Sequence, residues 1–92
     1  MASVIKLSDE AVETIRDGIL RASAALHAAE KPFLALQLRP NESVLTRDAL
    51  ESLERRVAVV DRMIALRHEE QDEKLTPVLE DLKGRIEKAR TA

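Results

Sequence analysis

His68 and Asp72 stand four residues apart, and Glu69 and Glu73 repeat that spacing one position further on. On a helix such pairs share a face, and an imidazole with carboxylates is a ligand set for a divalent ion. The Glu-x-x-His arrangement of carboxylate-rich bundle sites is missing, because Ala65 stands three residues before His68 and Ala24 three before His27. The cluster therefore reads as a solvated charged face, and no metal or cofactor is expected. His27 falls at the edge of an apolar arc, with its ring reaching out to solvent.

Other chemistry is thinner still. The chain has no cysteine, tryptophan or tyrosine, which removes thiolate sites and most stacking platforms. Its two glycines, Gly18 and Gly84, both lie inside helical patterns. A phosphate-cradling loop or a nucleophile elbow needs glycines at a strand-to-helix turn, so those activities are excluded. The acids pair instead with bases four residues on: Asp17 with Arg21, Glu51 with Arg55, Glu70 with Lys74, Asp81 with Arg85. No general acid or base stands out, and no enzyme is expected.

Nucleic acid is the next class to weigh, because Arg55, Arg56, Arg62 and Arg67 crowd one segment. Phosphate affinity depends on net basic surface. Glu51, Glu54 and Asp61 share the polar face with Arg55 and Arg62 and are read as neutralising it. Arg56 and Arg67 fall between two apolar stripes, where they would rim an interface. A small DNA-associated regulator is thus an alternative reading, with nucleic acid not the expected partner.

The elements that carry these residues are helical. The 92 residues are 45% apolar and 35% charged, with 15 basic against 17 acidic side chains, a balance that excludes wholesale disorder. One aromatic residue, Phe33, and few glycines argue against a strand-rich fold. No apolar run approaches the ~20 residues that span a bilayer, so no membrane contact and a cytoplasmic location are expected. The expected fold is mainly α: a small helical bundle forming a single domain over 1–92, two long helices and a shorter third.

Ser8 offers an N-cap for a first helix over 8–30, whose seam is Val12, Ile15, Ile19, Ala22, Leu26 and Ala29. Ala11, Gly18 and Ala25, seven apart, would let another backbone come close. Pro32 disfavours helix at Lys31, and an extended connector is expected over 31–45. Leu34, Leu36 and Leu38 alternate with Ala35, Gln37 and Arg39, as strands do. Two readings stand: leucines of an extended connector plugging one end of the bundle, or a short strand pair from 4–7 and 33–38.

Thr46 caps a second helix over 46–70, with Leu50, Leu53, Val57, Val60 and Ile64 on one seam. Val59, Met63 and Leu66 form a second stripe beside it. At 100° per residue the two cover an arc of about 200°, roughly twice what one neighbour needs. The second helix is accordingly expected to be central, touching the first, the third and a second subunit. Thr76-Pro77 caps a third helix over 77–90, with Leu75, Val78, Leu79, Leu82, Ile86 and Ala89 on its apolar side. A turn between helices two and three is preferred over one kinked helix, because folding back covers more apolar surface.

The function expected is that of a non-enzymatic helical interaction protein, a small chaperone, adaptor or regulator of bacterial composition. It would self-associate, as a homodimer, and bind a partner protein through Arg56, Val59, Val60, Met63, Leu66 and Arg67. The alternative is a purely structural oligomerisation or assembly module.

Overall fold

A computed structural model of the chain describes residues 5–67 and 72–91. Four helices follow one another: α1 (Asp9–Ala28), α2 (Pro32–Gln37), α3 (Arg47–Arg67) and α4 (Asp72–Thr91). The small helical bundle read from composition is the architecture found, with no strand among the described residues. No described helix is long and apolar enough to cross a membrane. The metal reading of His68 and Glu69 falls outside the described residues.

Helix α1 starts at Ser8, whose hydroxyl accepts from the Ala11 N–H at 3.1 Å, with Asp9 and Glu10 beside the positive helix end. It stops two residues before the expected end. The Glu30 N–H donates to the His27 carbonyl and the Lys31 N–H to the Leu26 carbonyl, the paired bonds of a Schellman corner. Such a corner needs a left-handed residue, and Glu30 takes that place at φ 60°.

After this corner the extended connector expected over 31–45 is replaced at 32–37 by helix α2, with Pro32 at its first position. Leu34 and Leu38 are 0% exposed while Leu36 is 72% exposed. A strand would have put all three leucines on one face; a helix puts i and i+4 together and turns i+2 away. The strand pair between 4–7 and 33–38 is therefore corrected. Lys6 instead bridges antiparallel to Thr46, with the Leu7 N–H on the Leu45 carbonyl and the Arg47 N–H on the Ile5 carbonyl, both 2.9 Å. Val4 lies outside the described residues.

Helix α4 begins earlier than the expected 77 and carries Pro77 in its second turn. There the proline withholds only the bond to the Glu73 carbonyl. Helices α3 and α4 run antiparallel: Asp61 meets Lys83 at 2.8 Å and Glu54 meets Arg90 at 2.7 Å. Helix α4 also packs along α1, where Arg85 Nη1 donates to the Thr14 carbonyl at 3.0 Å and to Asp17 at 3.2 Å. No Cα of α1 comes within 8 Å of α3. Helix α3 thus meets α4 and α2 but not α1, which corrects the expectation that it is central and touches the first helix. The crossing 29–46 fills the space between α1 and α3: α2 packs on both, and Leu34, Ala35, Leu38 and Val44 join the common core.

Close approach of α1 to α4 rests on Gly18. A Cβ there would sit 2.7 Å from Arg85 Cδ and 3.0 Å from Leu82 Cδ1, whereas one at Gly84 would meet nothing within 4 Å. Arg85 cannot yield freely, since it also holds Asp81 at 2.8 Å. Replacing Gly18→Val is expected to cost about 1–3 kcal/mol through overpacking. Replacing the exposed Gly84→Ala should add about 1 kcal/mol through helix propensity alone. Urea unfolding of both variants checks the pair, and equal effects would contradict this packing.

Candidate docking face on helix α3

The α3 seam Leu50, Leu53, Val57, Val60 and Ile64 is buried in the chain's own core together with Leu75, Leu79, Leu82 and Ile86 of α4. Val60 is 0% exposed, so it is a core residue, and its expected place in a partner interface is corrected. The neighbouring stripe behaves differently. Met63 is half-buried and packs against the core, while Val59 is 47% and Leu66 76% exposed. The split follows the helical wheel: Val60 and Ile64 face α4, Met63 sits at their edge, and Val59 and Leu66 lie a further step around.

Arg56 occupies the same edge as Met63. Its side chain is half-buried, and its Nε and Nη1 are shielded from solvent without a hydrogen-bond partner. Burial lowers the guanidinium pKa first, the like charge of Arg39 lowers it further, and Glu42 opposes both. Glu42 is itself engaged by Arg39, at 3.5 Å. Arg56 thus remains a cation whose donors the chain does not satisfy. Arg67 closes α3, and its side chain lies outside the described residues.

The structure also redistributes the charges around this stripe. Glu54 and Asp61, read as neutralising Arg55 and Arg62, are turned toward α4 and held by Arg90 and Lys83. The hydrogen bond from Lys83 to Asp61 is the main cause that raises the lysine's pKa. Arg55 and Arg62 are exposed, and the Glu51–Arg55 pair expected from spacing is absent among the described ion pairs. From Arg55 to Leu66 the helix carries three arginines, and its one acid, Asp61, is tied to α4. Cross-helix pairs leave no local trace, which is why spacing assigned Glu54 and Asp61 to Arg55 and Arg62 rather than to Arg90 and Lys83.

Elsewhere the surface offers little for chemistry. A shallow groove of about 370 Å³ lies between α1 and the segment 40–45, lined by Arg16, Leu20, Glu42 and Leu45 among others. Among the described residues no cluster of histidine and acids is placed to hold a metal. Comparison with protein-family models, with curated proteins and with solved structures finds no match to this chain.

An apolar replacement of Arg56 should not weaken the fold. Arg56→Met keeps the aliphatic stem and removes two shielded donors, and leaving such a donor unsatisfied costs about 1–3 kcal/mol each. The variant is expected to be as stable as the parent or up to about 2 kcal/mol more so. A loss above about 1 kcal/mol in chemical denaturation would mean that Arg56 has a stabilising partner.

Proposed function

We propose that this chain is a non-enzymatic helical interaction protein, an adaptor or small chaperone, that docks on another polypeptide through the outward face of α3. The observation that carries the reading is the exposure of Val59 and Leu66 on one face of a helix whose opposite face is fully buried. Covering what remains exposed of each such side chain gains on the order of 1–2 kcal/mol. Surface ion pairs gain about 0–1 kcal/mol. An occupant is therefore held mainly by the apolar stripe, with Arg55 and Arg62 setting its register. When no partner is present, a second copy of the chain is the available cover, and association is weak because the arginines of the two copies oppose each other.

Sedimentation over a wide concentration range tests this. The parent chain should associate in a concentration-dependent way. The double variant Val59→Asp with Leu66→Asp should be monomeric and at least about tenfold weaker in association, as expected when central apolar contacts worth more than about 1.4 kcal/mol are lost. Both positions are exposed, so unfolding curves should coincide. A parent that stays monomeric and binds a hydrophobic dye no better than the double variant would instead leave a self-satisfied structural module.

A further inference from the structure

The charge on α3 points to the chemistry of the occupant. Arg55 and Arg62 are exposed beside Val59 and Leu66, without an ion-pair partner among the described residues. Of the three acids read as neutralising them, Glu54 and Asp61 are held by Arg90 and Lys83, and Glu51 stays exposed one turn before Arg55. Arg56 adds positive charge at the other edge of the stripe, next to Met63, but its Nε and Nη1 are shielded and offer no contact to a partner. Glu42, the carboxylate whose charge acts on Arg56, is engaged with Arg39.

We infer that the outer face of α3 receives an acidic amphipathic helix of a partner protein, its apolar side on Val59, Met63 and Leu66 and its carboxylates against the exposed Arg55 and Arg62. A groove-bound helix presents anchors at i, i+3 or i+4 and i+7, and Val59, Met63 and Leu66 repeat at four and three, which matches that periodicity. A second copy of this chain fits less well, since two α3 faces brought together place arginine against arginine. The inference rests on the docking function proposed above and adds the sign of the partner's charge.

The test uses the full chain and three synthetic helical peptides that share one leucine stripe and differ only in flanking residues: glutamate, glutamine or lysine. By fluorescence anisotropy the glutamate peptide should bind at least about tenfold more tightly than the glutamine peptide, and the lysine peptide should not bind. Raising the salt should shrink that preference, because exposed charges are screened. Arg55→Glu with Arg62→Glu should abolish the preference, and Leu66→Asp should weaken the glutamate peptide by about tenfold or more. Equal binding of all three peptides, lost in Leu66→Asp, overturns the acidic partner while docking stands. No peptide bound by a chain that is monomeric throughout overturns both. A stable dimer that shuts out every peptide makes the second copy the occupant. Duplex DNA bound more tightly than the glutamate peptide, through the same arginines, overturns the inference in favour of nucleic acid.

Discussion

Leu75, Leu79, Leu82 and Ile86 of α4 share one core with Leu53, Val57, Val60 and Ile64 of α3, and Asp61–Lys83 and Glu54–Arg90 flank that contact. Burial of eight such side chains far outweighs two partly exposed ion pairs, so the apolar seam provides the stability and the pairs fix which side of α3 turns inward. Everything proposed for the surface follows from that orientation. With α4 in place, Val60 is out of reach, Glu54 and Asp61 are occupied, and Val59, Leu66, Arg55 and Arg62 are left on the outside.

The crossing between α1 and α3 is the second constraint. Helix α1 lies antiparallel to α4, so its end and the start of α3 lie at opposite ends of the bundle, and residues 29–46 must run back between them. The left-handed Glu30 turns the chain, α2 drives Leu34 and Leu38 into the core, and Lys6 meets Thr46 at the far end. A connector used in this way replaces the direct contact of α1 with α3. It also brings Arg39 and Glu42 to Arg56, whose shielded donors are left without a partner.

Much of this was legible in the residues. Ser8 and Thr46 announce their helices, and the Thr46 hydroxyl does accept from the Ala49 N–H at 3.2 Å. The three-and-four spacing marked Ile15, Ile19, Leu26 and the α3 and α4 seams, all now buried except Val78, which is partly buried. Gly18 foretold a close backbone. The leucines at 34, 36 and 38 misled because alternation over so short a span fits a strand equally well, and only burial shows that Leu36 stands apart. Pro77 misled because a proline can start a helix or sit in its second turn. The separation of α3 from α1 was hidden: an arc of 200° on α3 states how much surface asks for cover, not which helix supplies it. For the same reason Val60 was grouped with Val59, although one faces α4 and the other solvent.

The orientation of α3 can be read directly by thiol labelling, since the chain contains no cysteine of its own. Single variants Val59→Cys, Val60→Cys and Leu66→Cys would be reacted with a small maleimide in dilute solution, where copies are apart. The account predicts that the thiols at 59 and 66 react about a hundredfold faster than the one at 60, which is released only when the core opens. Equal rates at 59 and 60, or a protected thiol at 66, would contradict it.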